Sequence, residues 1–538
     1  MATLVPPRTR ALRRTEFARA GFFALVATLA GCSEAQRAPA PTPSPAAEPI
    51  PPAPAAAPAA AAVPASTTVP AAAPAPAPAP GARIWSKARF TWIHAQAGQG
   101  RGWIGYLGLG GSAPLKGGSV EAARMPGGSG GCDAWYAIEP RGFVCAGASA
   151  TVNEDDPEVV QLRRDVAKLD SPWPHQYGES IWAPRYARIP TAAEQRDTEW
   201  YFDKHKENIA RAREAKDPAA IEAIDKDLVG VDLSPAGEGP PQLLPFGPLV
   251  REQRKFVALG STVAWVRSFD VDGRTFLLTA DQAIVPKDRV RPYPRSTFHG
   301  LALGEDVQLP LAFFRKTPRP KWKRGEDGKL AQTAETWPRL GWVGLTGVKV
   351  EEDGKKFYET KEPGIFVRNV DAQVVEAETE APFLTGPDKD KLKWIDVRVL
   401  NGTLVAYEGL RPVYATLISP GRGGIPFDGI DPLKTASTPT GMFRVDGKFR
   451  TSTMVSSSDE NFIHSDVNWI LNFSGPHALH GAYWHDAWGE PKSGGCVNMA
   501  PVDGKWIFDW TDPPVPEGWH GLRALKEFGV STKVRIRR

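Results

Sequence analysis

Between Trp394 and Ser419 apolar and polar residues alternate in three bursts, Trp394-Ile-Asp-Val-Arg-Val-Leu400, Thr403-Leu-Val-Ala-Tyr-Glu408 and Pro412-Val-Tyr-Ala-Thr-Leu-Ile-Ser419. A period of two marks strands with one face buried. Asn401-Gly402, between the first two bursts, predicts a two-residue type I′ hairpin turn, because both residues tolerate positive φ. The segment Thr438-Pro439-Thr440-Gly441-Met442-Phe443 continues the strand pattern. A second hairpin is predicted upstream, where Val263–Phe269 and Arg274–Thr279 flank Asp272-Gly273. Shorter apolar runs at Ala88–Ile93, Gly102–Leu107 and Gly341–Leu345 predict further strands, with Trp337 and Trp342 read as core. Only the stretch from Thr191 to about Asp227, charged and rich in Ala, Glu and Lys, predicts helix, as one or two exposed segments. The basic, alternating end Lys533–Arg538 fits either a last strand or a surface tail.

The expected fold class is therefore mainly β with minor α. A chain of 538 residues exceeds one hydrophobic core, so several domains are expected. Composition divides it into a signal-like segment (1–31), an Ala/Pro-rich tether (32–82), a small Gly- and aromatic-rich β module (83–150), a helical or irregular connection (151–244), a second β region (245–387) and a C-terminal β domain (388–538). The first segment carries Arg8, Arg10, Arg13, Arg14 and Arg19 ahead of an apolar run, Ala20–Ala30, the layout of a secretory signal. That run is shorter than the about 20 residues of a membrane-spanning helix. The tether cannot bury enough apolar surface to fold, and its prolines bias it to polyproline II, with a reach of roughly 140 Å when extended.

The formal charge of +4 is mild for this length and argues against a nucleic-acid binder. No phosphate-cradling glycine motif occurs, and no zinc-ligand spacing. Of four cysteines, Cys132 and Cys145 stand close in sequence and lack Cys-x-x-Cys spacing. In an exported chain they predict a structural disulfide closing a hairpin-like loop.

One pattern carries chemistry: His480-Gly481, then Ser493-Gly494-Gly495-Cys496-Val497-Asn498. A cysteine attacks a carbonyl as thiolate, so it needs a base or positive charge to bring its pKa down from about 8.5, and histidine is the usual supplier. Glycines before the nucleophile permit a tight turn and close substrate approach, and backbone N–H groups around it can hold an oxyanion. Taken as spacing alone, a structural cysteine and histidine are the commoner reading.

His-Gly followed by Ser-x-Gly-Cys-Val-Asn, with the upstream hairpin and the Thr-Pro-Thr-Gly element, resembles the YkuD-type L,D-transpeptidase catalytic domain over about residues 388–515. The resemblance implies a β domain in which Cys496 is the nucleophile and His480 the general base. Gly481, Ser493, Gly494, Gly495 and Asn498 would form the substrate and oxyanion loop, with Trp484 and His485 beside the pocket. It implies no cofactor and no metal. The implied substrate is the stem peptide of peptidoglycan, with another stem peptide, a wall-linked protein or water as acceptor; an inactive, wall-binding domain is the further alternative. Gly494 departs from the family, which commonly has histidine there. His464, His477 and His520 are read as structural.

The same bacterial setting gives the N-terminus a meaning. Leu29-Ala30-Gly31-Cys32 resembles a lipobox, implying a lipid on Cys32, anchorage in a membrane and exposure to the periplasm, and Ser33 is similar to the residue following the anchor in outer-membrane lipoproteins. A plain cleaved signal peptide is the other option. The two β regions are loosely similar in composition to SH3-type wall-binding modules, and the basic C-terminus is either a strand or a wall-contacting tail.

Overall fold

The computed structural model describes residues 81–98, 102–126, 132–241, 255–455 and 462–538. The signal-like segment, Cys32 and the tether up to residue 80 lie outside the described residues. Strand predominates, with seven α-helices among the described residues, so the chain is mainly β with minor α. Among those residues no helix is long and apolar enough to cross a membrane.

Two sheets facing each other build the C-terminal domain. A six-stranded sheet runs in the order Leu301–Ala302, Arg411–Leu417, Thr403–Glu408, Lys393–Arg398, Lys533–Arg537, Gly441–Arg444. The facing sheet supplies Gly447–Val455, Ile463–Ser474, His477–Gly481 and Val497–Met499. Ile395, Val397, Leu404 and Ala406 from the first sheet meet Leu471, Leu479, Val497 and Met499 from the second, all essentially solvent-free. At about 25 cal/mol per Å² of apolar surface, this shared layer is the main stabilising contribution to the domain. The helix Pro501–Trp510 closes one end of the core through Ile507 and Phe508, with proline at its first turn, where no N–H is needed.

The C-terminal segment is a strand. Lys533–Arg537 runs parallel to Lys393–Arg398 and lies between it and the edge strand Gly441–Arg444 in the six-stranded sheet. Val534 and Ile536 face the core, while Arg535 and Arg537 on the other face bond Asp396. The Asn401-Gly402 turn is wider than expected. The ladder ends at Arg398↔Thr403, leaving a four-residue connection. Val399 is tied to the last strand by its N–H, which donates to the Arg537 carbonyl at 2.9 Å, and Gly402 (φ +65°) closes the loop onto the Arg398 carbonyl at 2.9 Å. Only glycine fits at 402, since a Cβ would lie 2.5 Å from the Gly489 oxygen. The upstream hairpin forms as read, with Asp272 and Gly273 both at positive φ between Thr262–Val271 and Arg274–Thr279.

The N-terminal strands share a sheet with this domain. Trp103–Leu107 pairs with Gly521–Arg523, which in turn pairs with Gly447–Val455. Cys132 and Cys145 are disulfide-bonded across the antiparallel strands Cys132–Ala137 and Phe143–Gly147, with Cα atoms 5.5 Å apart. A loop of this size contributes about 3 kcal/mol by the chain-entropy account. Three helices rather than one or two fill the polar stretch: Ala192–Thr198, opened by a Thr191/Glu194 capping box, Phe202–Ala215 and Pro218–Ile224. Trp337 is core, stacked on Phe314, whereas Trp342 is 42% exposed.

A five-stranded sheet holding Gln176–Ser180 and Thr262–Val271 docks on the C-terminal domain. Thr262 Oγ1 lies 2.7 Å from the Tyr483 hydroxyl and accepts the Ser465 N–H at 2.7 Å. The Tyr177 and Tyr483 rings stack with centroids 3.7 Å apart, and the Pro172 carbonyl accepts from Asn468 Nδ2 and Trp469 Nε1 at 2.7 and 2.9 Å. These contacts seat the chain just beyond His480.

Candidate active site

Strand register brings His480 and Cys496 together. His477–Gly481 and Val497–Met499 are parallel neighbours, with Leu479 opposite Val497 and His480 opposite Asn498. Side chains alternate along a strand, so Leu479, Val497 and Met499 enter the core while His480 and Asn498 share the other face. Cys496, two residues before Asn498, falls on that same face. Among the described residues it is the free cysteine, and it is half-buried.

Gly481 follows from packing. A Cβ there would stand 2.5 Å from Asn468 Oδ1, and Gly504 of the closing helix approaches the same Cα from its own side. The His-Gly pair is thus a buried imidazole on the face away from the shared core, followed by a bare backbone on which a helix rests.

The loop before Cys496 is self-braced. The Gly495 N–H donates to Ser493 Oγ at 3.0 Å, and that hydroxyl donates to the Cys496 carbonyl. Gly495 has φ +133°, and a Cβ on it would lie 2.9 Å from the Ser437 oxygen and 3.0 Å from the His477 ring. Gly494 is different: it is exposed, and a Cβ there would meet nothing within 4 Å. The position where the sequence lacks the expected imidazole is open space.

The electrostatics favour a neutral pair. His480 is 3% exposed, and burial pulls its pKa down to about 4, against a raising contribution from its bond to Gly481. Nδ1 lies 3.0 Å from the Gly481 carbonyl, which can only accept, so Nδ1 carries the proton and Nε2 keeps a free lone pair. Burial pushes the Cys496 thiol up, and a hydrogen bond from the Ala478 backbone opposes it. Sγ sits 3.9 Å from the Pro476 carbonyl. Thiol and neutral imidazole is therefore the resting state near neutrality, suited to proton transfer during attack rather than to a preformed ion pair.

This fixes a pH dependence. His480 becomes cationic, and useless as a base, only as the pH falls through about 4, well below the ordinary 6.5. Thiol-directed acylation is expected to hold its rate down to about pH 5 and to lose it with an acid limb near 4; second-order rate constants across that range check this.

His485 and Asn498 form a second polar pair. The Ala487 N–H donates to His485 Nδ1 at 3.3 Å, and the Asn498 side-chain amide lies 3.1 Å from Nε2. Burial, then the Lys492 charge, hold this imidazole down to about 4, so it is neutral with its proton on Nε2. The amide then presents its oxygen to that proton, which also gives a partner to Asn498 Oδ1. Asn498 is held besides by backbone bonds to Ser419 at 2.8 and 2.9 Å. Trp484 lies between imidazoles, 4.1 Å from His464 and 5.8 Å from His480. His477 backs Gly495, and His520 bonds Thr451 in the sheet, at 2.9 Å. Among the described residues no group of His, Cys, Asp and Glu could hold a metal ion.

Sequence reasoning missed the backbone groups at Sγ, from Pro476 and Ala478, and the Ser437 carbonyl behind Gly495. Main-chain atoms leave no residue-type signal. It missed also the Thr262 and Pro172 contacts that seat Tyr483 and the neighbouring strand, because partners more than 200 residues apart share no local pattern.

Residues 392–536 match the family model described as the L,D-transpeptidase catalytic domain, YkuD. The chain carries a YkuD domain. Among solved structures, similarity extends to a mutant of the Enterococcus faecium L,D-transpeptidase, at 20% identity and TM-score 0.21, covering 28% of this chain and about half (51%) of that one. The catalytic domain of the E. faecium enzyme is 20% identical over 27% of this chain and 98% of its own length, with TM-score 0.19. L,D-transpeptidase 3 from Mycobacterium tuberculosis is 15% identical, over 41% of this chain and 79% of that one, with TM-score 0.21. No curated protein matches the chain. The YkuD match begins just before the strand Lys393–Arg398 and ends within Lys533–Arg537, so it takes in His480, Cys496 and every strand named for the two facing sheets except Leu301–Ala302.

Proposed function

We propose that the YkuD domain is a peptidoglycan L,D-transpeptidase working through a cysteine acyl-enzyme. The observation that carries this is the shared sheet face of Cys496 and His480, with the imidazole Nε2 unprotonated. In the proposed cycle Sγ attacks the carbonyl of the amide joining the L-centre to the terminal D-residue of a tetrapeptide stem. His480 Nε2 takes the thiol proton and passes it to the leaving nitrogen, so the C–N bond breaks, a thioester remains and the terminal amino acid departs. An amine of a second stem then attacks the thioester and gives its proton to His480, which returns it to sulfur. N–H groups of the Ser493-braced loop hold the oxyanion in both steps.

The N-terminal features fit the same setting. Cys32 is proposed as a lipid anchor and the Ala/Pro-rich segment as a tether that lets a membrane-held enzyme reach a wall layer in the periplasm. The exposed, open position at Gly494 favours water as a competing acceptor, which makes hydrolysis the second reading.

Product analysis separates the two. Purified protein incubated with tetrapeptide muropeptides is expected to release the terminal amino acid and to form cross-linked dimers. Tripeptide products without dimers would assign hydrolysis, and unchanged tetrapeptides would reject both.

A further inference from the structure

Two cations flank the loop that bears Cys496. Residues 420–422 and 492–493 lie side by side as a short parallel bridge between Gly421 and Ser493. The Arg422 N–H donates to the Ser493 carbonyl at 3.0 Å, and the N–H groups of Lys492 and Ser493 donate to the Pro420 carbonyl at 2.9 and 3.1 Å. Continuing that register sets Arg422 alongside Gly494, the position that is open to solvent. Arg422 and Lys492 are both exposed, and no described carboxylate is within ion-pair distance of either. Asp431, further along the same loop, caps the helix Pro432–Thr435 by accepting the Leu433 N–H. The Lys492 charge is felt as far as His485, the partner of Asn498.

An unpaired guanidinium and ammonium at one end of a nucleophile loop make a site for an anion, and a planar guanidinium suits a carboxylate in particular. We propose that Arg422 and Lys492 form a carboxylate subsite beside Cys496, seating the free α-carboxylate of the stem peptide's terminal residue over Gly494. This rests on the transpeptidase reading for the identity of the ligand, and on the bridge geometry for the site. Gly494 and Cys496 are two residues apart along the chain, at most roughly 7 Å. A terminal carboxylate lies one residue beyond the scissile carbonyl, within that span plus the reach of an arginine side chain. The glycine is then functional in its own right: a larger side chain at 494 would fill the space the carboxylate enters.

Two measurements test this separately. The first needs no substrate: alkylation of Cys496 by anionic iodoacetate and by neutral iodoacetamide, read by mass on the Cys496 peptide so that Cys32 does not contribute. Each rate is taken on the full chain, and the iodoacetamide rate reports that the thiol and its loop are intact. The iodoacetate-to-iodoacetamide ratio is expected to fall by about fivefold in Arg422→Gln and further in the double variant with Lys492→Gln, with partial retention in Arg422→Lys. An unchanged ratio overturns the proposal. The second compares tetrapeptide stems with a free and an amidated terminal carboxylate, where Arg422→Gln is expected to cut the preference for the free acid about tenfold through KM. Equal loss on both peptides also overturns it. If the unaltered protein turns over neither stem, the transpeptidase reading fails, while the alkylation ratio still decides whether the subsite exists.

Discussion

Cys496→Ala is expected to reduce cross-linking and terminal amino acid release to the uncatalysed background, a loss of roughly 10³-fold or more, since no other described thiol is free. The fold is expected to survive. Cys496 is half-buried, and its Sγ makes a weak 3.9 Å contact to the Pro476 carbonyl and a hydrogen bond with the Ala478 backbone, while the loop is braced by Ser493 and by strand pairing through Val497. Thermal unfolding of the variant should shift by no more than about 1 kcal/mol of stability. Loss of activity with an unchanged unfolding curve therefore reports chemistry.

The second large effect is at His480. His480→Gln is expected to slow acylation by about 10² to 10⁴-fold, the span for removal of a general base. Because the thiol is held above its ordinary pKa by burial, little thiolate forms at neutral pH without the imidazole. Raising the pH ionises the thiol directly, so the variant should regain rate on the alkaline side and approach the unaltered protein. A merely structural role for His480 would leave the loss the same at every pH. Acylation rates measured on both forms from neutral to alkaline pH distinguish these outcomes.

The proposed catalytic pair is visible in the sequence because its chemistry is local: His480-Gly481 and Ser493–Asn498 are short runs with unusual composition. The strand alternation around Trp394–Ser419 was equally plain, since one face of each strand is buried in the shared core. What failed was set by contacts from elsewhere. Asn401-Gly402 suggests a two-residue turn, yet Val399 is held in line by the Arg537 carbonyl and the connection lengthens to four residues. The ambiguity at Lys533–Arg538 had the same source, because a parallel strand depends on a partner far away in sequence, here Lys393–Arg398. The helix count was low because Lys216 adopts a left-handed conformation and Asp217-Pro218 starts a new helix, a break that composition alone does not show.

In the site, glycine carried three meanings that the sequence does not separate. Gly481 makes room for Asn468 and the closing helix, Gly495 holds a positive φ against Ser437 and His477, and Gly494 has free space around it. Only the last is permissive. A side chain at Gly494 is sterically allowed, so its absence leaves room for something other than protein.

The most direct test is to expose the full chain to a carbapenem, an acylating analogue of the stem amide, and to follow intact mass and then map the modified peptide. One covalent adduct per chain is expected, on Cys496, absent in Cys496→Ala and formed slowly in His480→Gln. No adduct, or one whose formation does not depend on Cys496, would contradict the acyl-enzyme on which the account stands.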